Sequence, residues 1–161
     1  MHKLLSLVLL TAAGVQAAPV APLQPMAFLA GHCWKGTFAD GKTTDEHCFQ
    51  WQYQDHVLRD VHTVRAAGRP DYVGETLYYF DSASAKVAFL YVENGGGYSR
   101  GNMVASQDGL EFPATDYVDA GKALRYRVHW TPSAADSYEA HSEMLLNGQW
   151  TTQFRLQMKK Q

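Results

Sequence analysis

Two cysteines, Cys33 and Cys48, flank an Asp40-Gly41 turn, and their placement limits this chain more than any other feature. Residues opposed across an antiparallel hairpin have position numbers with a constant sum. Closing the turn at Ala39–Lys42 or at Phe38–Thr43 opposes Cys33 to Cys48, Lys35 to Glu46 and Thr37 to Thr44. The two thiols then lie within disulfide reach. One face of the hairpin is polar and stapled, and the other carries Trp34 and Phe38. The cysteines lack C-x-x-C spacing, so a structural disulfide is preferred to a metal pair or a redox site.

A disulfide requires an oxidising compartment, and the N-terminus agrees. Met1-His2-Lys3, an apolar stretch Leu4–Leu10 and small residues before Ala18 describe a secretory signal peptide cut after Ala17. The apolar run is too short to cross about 30 Å of hydrocarbon as a helix. The expected organisation is a leader over 1–17, a lead-in and helical turn over 18–32, and one domain over 33–161 of a secreted or periplasmic protein. Within the lead-in, Ala18–Gln24 reads as a mobile Pro-rich segment and Pro25–Ala30 as one helical turn. Losing Lys3 reduces 14 basic side chains to 13 against 16 acidic ones, a net charge of −3. That balance, without a basic run, argues against nucleic acid or an anionic membrane as partner.

After Cys33, residues rich in Tyr, Trp, Val and Thr recur in short segments, each ended by turn chemistry such as Gly95-Gly96-Gly97, Asp108-Gly109 or Asn147-Gly148. Ten strands are expected: Cys33–Phe38, Thr43–Tyr53, Val57–Arg65, Tyr72–Phe80, Lys86–Glu93, Tyr98–Ala105, Leu110–Tyr117, Leu124–Trp130, Ser137–Leu145 and Trp150–Met158. Ten short strands joined by tight turns must protect their edges. The fold class is therefore all-β, a single up-and-down antiparallel barrel, with a two-sheet sandwich as the alternative. In the middle hairpin, Tyr78 should oppose Phe89, Phe80 should oppose Val87, and Thr76 should oppose Tyr91.

These segments resemble a known architecture. A helical turn leading into Phe28-Leu29-Ala30-Gly31, then Trp34 and Gly36, is similar to the opening of lipocalin-like (calycin) barrels. Phe28–Gly36, Gly74–Tyr79, Gly97–Gly101 and Gly148–Trp150 resemble secreted bacterial barrel proteins of unknown function. Two residues, rather than one, separate Gly31 from Trp34, which departs from the lipocalin pattern. The resemblance implies that Trp34 closes one end of a barrel holding a small hydrophobic ligand. It also implies a late basic residue stacked over that tryptophan, with Arg155 as the candidate.

The last strands present a fork. Arg125, Arg127 and His129 alternate with Leu124, Tyr126, Val128 and Trp130, and a Thr131–Ser137 connection would pair them with Glu143, His141 and Glu139. Turned outward, the row is a solvated set of ion pairs. Turned inward, Arg127 would clamp a ligand carboxylate, as an internal arginine does in the similar fatty-acid-binding barrels. A two-residue Asn147-Gly148 turn favours the inward branch. A three-residue loop with a bulge aligns Ala140 with Leu156 and Tyr138 with Met158, and favours the outward one. The cost of burying charge selects the outward row.

No H-E-x-x-H, nucleophile-elbow or phosphate-cradle motif is present, and Asp60 and His62 share a strand face that reads as having a surface or capping role. Neither a cofactor nor a metal is therefore indicated; haem, for which His129 or His141 would have to serve, has no support. Arg100, beyond the Gly95–Gly97 loop at the barrel mouth, reads as solvent-facing. The expected function is binding of a small, mostly apolar molecule, with Trp34, Tyr78, Phe80, Phe89 and Tyr91 lining the site and Arg127 as anchor on the inward branch. One alternative is a barrel-mouth enzyme with Glu75, His62 or His129 as base, which a carboxylate and histidine converging in a cavity would favour. The other is an envelope interaction protein whose barrel is filled by its own side chains.

Overall fold

A computed structural model describes residues 20–161; the leader expected over 1–17 lies outside the described residues. The strands are β1 (Cys33–Thr37), β2 (Thr44–Gln52), β3 (Val57–Arg65), β4 (Tyr72–Asp81), β5 (Lys86–Glu93), β6 (Tyr98–Ser106), β7 (Gly109–Asp119), β8 (Lys122–Ala134), β9 (Ser137–Leu146) and β10 (Gln149–Lys160). Each pairs antiparallel with its neighbour in sequence, and β1 pairs with β10, so the sheet closes into an up-and-down barrel. Closure removes the free edges that ten short strands would otherwise expose.

The first hairpin has the register its turn dictates, with Cys33 opposite Cys48, Lys35 opposite Glu46 and Thr37 opposite Thr44. Asp40 holds the turn by accepting hydrogen bonds from the backbone of Lys42 and Thr43. Cys33 and Cys48 form a disulfide with a Cα–Cα distance of 4.0 Å. The middle hairpin pairs Tyr78 with Phe89, Phe80 with Val87 and Thr76 with Tyr91.

The N-terminal segment differs from expectation. A 3-10 helix runs over Ala21–Leu29, so Leu23 and Gln24 belong to ordered structure rather than to a mobile lead-in. Leu23, Met26 and Leu29 recur every third residue, the period at which a 3-10 helix stacks its side chains, and all three are fully buried. They cap one end of the barrel. Beneath them Trp34 donates from Nε1 to the Leu29 carbonyl at 3.0 Å. Its ring meets Tyr138 edge-on at 5.2 Å and Phe28 at 6.1 Å. Phe49, Leu58, Leu110, Leu156 and Met158 complete this closed end. Gly36 leaves the room: a Cβ there would stand 2.6 Å from the Met158 sulfur. Lys160, not Arg155, lies over the Trp34 ring, 5.4 Å from its centroid. Arg155 has the opposite strand parity and pairs with Glu139 at 2.7 Å on the outer face.

The last hairpin combines both branches of the fork. The Asn147-Gly148 turn opposes Leu145 to Trp150, but a bulge between Thr152 and Phe154 then shifts the register. Beyond it Ala140 faces Leu156 and Tyr138 faces Met158. An extra residue in one strand reverses which face the following side chains occupy, so the bulge gives a two-residue turn an apolar interior. The β8–β9 pairing also slips by two residues from expectation: Arg127 faces Glu143 and His129 faces His141, because β8 continues to Ala134. A slip of two preserves the face. Tyr126, Val128 and Trp130 turn inward, and the charged row turns out.

Candidate functional site

The described residues do not fill the half of the barrel opposite the 3-10 helix. A cavity of about 440 Å³ runs from a layer of Tyr78, Phe89, Phe112 and Trp130 towards the loops that follow β3 and β7. Phe112 and Trp130 meet edge-on at 4.8 Å, and Tyr78 and Phe89 lie against them, so this layer is the cavity floor. Phe38, Val64, Val128 and Phe154 supply apolar wall further out.

Polar groups collect on the side built by β2 and β3. Asp45 and His47 stand two apart on β2 and so share its inner face. The β2–β3 register puts His62 directly across from His47 and Asp60 across from Phe49. His47 Nδ1 lies 2.7 Å from Asp60 Oδ2, and His47 Nε2 lies 3.4 Å from Asp45 Oδ2. His62 Nδ1 lies 3.4 Å from Asp45 Oδ1, while its Nε2 pairs with the Tyr91 hydroxyl at 3.0 Å. Tyr91 in turn shares a hydrogen bond of 2.5 Å with Tyr72. Gly74, opposite His62 on β4, makes this possible: a Cβ there would stand 2.3 Å from His62 Nε2 and 2.5 Å from the Tyr91 ring.

Electrostatics follow from this crowding. Burial disfavours the charged form of His47, but the Asp60 and Asp45 carboxylates outweigh it and push its pKa up to about 10. Burial likewise opposes the Asp45 charge, and His47 together with His62 overcomes it, holding that carboxyl well below its ordinary range. Tyr91, Tyr72 and Tyr117 are all pushed up, chiefly by burial, and remain hydroxyls. The cavity thus has an aromatic body and one ionised pole.

The sequence-derived site residues distribute unevenly. Tyr78, Phe89 and Tyr91 line the cavity. Trp34 does not, because it is fully buried in the closed end. Phe80 also lies outside the lining and is 38% exposed, since β4 carries it past the end of the packed interior. Arg127 reaches only the cavity lip: its guanidinium sits 2.5 Å from Glu143 Oε2 and 4.5 Å from the centre of the Trp150 ring. It is therefore not an internal anchor. Glu75 is bound to Arg59 at 2.7 Å on the outside, Arg125 pairs with Asp116, and Arg100 lies over Tyr98. His129 is on the outer face. Asp60 and His62, read from sequence as surface, face inward instead, and Asp60 is buried. Asp45 and His47 were not singled out from the sequence, although the β2–β3 register would have placed them beside His62.

The site belongs to a closed antiparallel barrel with a partly empty interior, the architecture that lipocalin-like proteins share. The chain matches no protein-family model and no curated protein. Among the described residues no helix is long and apolar enough to cross a membrane.

Proposed function

We propose that this chain is an exported barrel that binds a small, mostly apolar molecule in its open half. One observation carries the reading: a cavity of about 440 Å³ walled by aromatic rings, with its polar groups gathered on one side. Ligand sites of this type bury most of the ligand against apolar surface and use few polar groups to fix orientation. An aromatic or alicyclic body would stack on Tyr78, Phe89, Phe112 and Trp130. A hydroxyl or amine on that body would donate to Asp45. The cavity left among the described residues favours this reading over an interaction protein with a side-chain-filled barrel. The disulfide supports secretion or a periplasmic location, and the barrel supports kinship with the lipocalin-like family.

Native mass spectrometry of protein recovered from its own host's envelope or medium tests the proposal. A reproducible bound mass is expected. Consistently empty protein that also ignores titration with lipids and aromatic compounds would refute it.

A second, enzymatic reading is favoured by the Asp45–His62 pair inside the cavity, with His62 acting as base on the bound molecule. It predicts that wild-type protein converts the recovered ligand and that His62→Gln does not. Recovery of the ligand unchanged from wild type would discard it.

A further inference from the structure

We propose that Asp45, His47 and His62 form a three-ligand site for a divalent transition ion of the zinc class, with its remaining position open to the cavity. Asp45, His47 and His62 each offer one ligand atom, and the three lie within 4.8 Å of one another. His47 Nε2 lies 3.4 Å from Asp45 Oδ2, and His62 Nδ1 lies 3.4 Å from the other carboxylate oxygen, Oδ1. Ligand atoms about 2.0–2.2 Å from a tetrahedral ion stand roughly 3.3–3.5 Å apart, so an ion bound through either Asp45 oxygen already has one nitrogen-to-oxygen spacing of this length.

The surroundings carry the inference further than proximity does. Each histidine is held at its far nitrogen. Asp60 accepts from His47 Nδ1, and the Tyr91 hydroxyl meets His62 Nε2. Both near nitrogens are thereby turned towards the one carboxylate, the arrangement in which outer partners orient metal-ligating imidazoles. Gly74 leaves the space in which the His62–Tyr91 contact forms. Asp45 Oδ1 and His62 Nδ1 face each other at 3.4 Å, are buried and complete no hydrogen bond, and Asp45 is only 5% exposed. Polar atoms left in that condition are costly, and a cation between them satisfies both.

The donor set of two imidazoles and one carboxylate selects the ion. It suits zinc, cobalt, nickel or ferrous iron better than calcium or magnesium, which take mainly oxygen ligands. Three protein ligands with one open position define a reactive or ligand-accepting site rather than a closed structural one. Loading replaces a proton on His47 Nε2 and leaves its Nδ1–H donating to Asp60. The open position faces the cavity, where a water or a donor atom of the bound molecule would complete the shell.

The test uses the oxidised, chelator-stripped protein and metal alone. Calorimetry with Zn²⁺ should show one equivalent bound. Co²⁺ should develop the intense visible bands of a tetrahedral site, a readout that needs no variant. Asp45→Asn and His62→Gln should each abolish the bands, and Asp60→Asn should weaken affinity by about 10–100-fold. Thermal unfolding of each variant separates loss of the site from loss of the fold. A Co²⁺ spectrum identical to that of the aqueous ion, or stoichiometric Zn²⁺ binding retained in the folded Asp45→Asn and His62→Gln proteins, would overturn the proposal. Binding of a neutral apolar probe, measured separately, reports on the cavity and is independent of this outcome.

Discussion

The two halves of the barrel are made from the same ten strands and packed to different ends. In the closed half, Leu23, Met26 and Leu29 from the 3-10 helix descend on Trp34, Tyr138 and Met158, and all six are buried almost completely. In the open half the same strands turn Phe38, Val64, Tyr91 and Phe154 inward, yet among the described residues no segment enters to meet them. The difference is the helix, not the strand chemistry. A ten-strand barrel is too wide for its own side chains to fill everywhere, so whatever lacks a plug remains a cavity. Stability and binding are thereby assigned to opposite ends of one sheet, and substitutions should separate them.

The largest effect should come from the closed half. Trp34→Ala removes a fully buried indole and its bond to Leu29, and should cost about 3–5 kcal/mol, read as a lower urea midpoint. Next is the disulfide, which joins residues 15 apart. Replacing both cysteines by serine should cost about 3 kcal/mol, and a reducing agent should lower the wild-type midpoint but not that of the variant. In the open half, Phe154→Ala should cost only about 1–2 kcal/mol, because its ring already borders empty space, but should weaken apolar-probe binding. A loss of stability as large as that of Trp34→Ala would erase the distinction between the halves. The smallest effect belongs to the outer face. Arg155→Ala breaks a half-exposed pair with Glu139 and should cost about 0.5 kcal/mol, with probe affinity unchanged.

Much of this architecture was legible in the sequence wherever turn chemistry fixes pairing locally. The Asp40-Gly41 turn sets the register that joins the cysteines, and the middle hairpin follows from its short loop. Features that depend on a change of period were not legible in this way. Leu23, Met26 and Leu29 repeat every three residues, which a search at 3.6 passes over. The bulge at Thr152–Phe154 reverses a strand face without glycine or proline to mark it. The ionised pole was hidden for a related reason. It depends on the β2–β3 register across a turn in which Tyr53, Gln54 and Asp55 all take positive φ values, a conformation the residue types do not advertise. Without that register, Asp45 and His47 on one strand and Asp60 and His62 on the next read as scattered polar residues. The outward turn of Arg127 was decided correctly by the cost of burying charge, although the pairing behind it differed by two residues.

The central claim is that the open half is a binding chamber. Titration with neutral N-phenylnaphthylamine tests it most directly, because Trp130 lies in the chamber floor and can transfer excitation to a probe seated there. The account predicts one saturable site with energy transfer from tryptophan, weakened in a folded Val128→Trp variant whose larger ring takes up part of the chamber. Absence of saturable binding, or equal affinity in that variant, would contradict it.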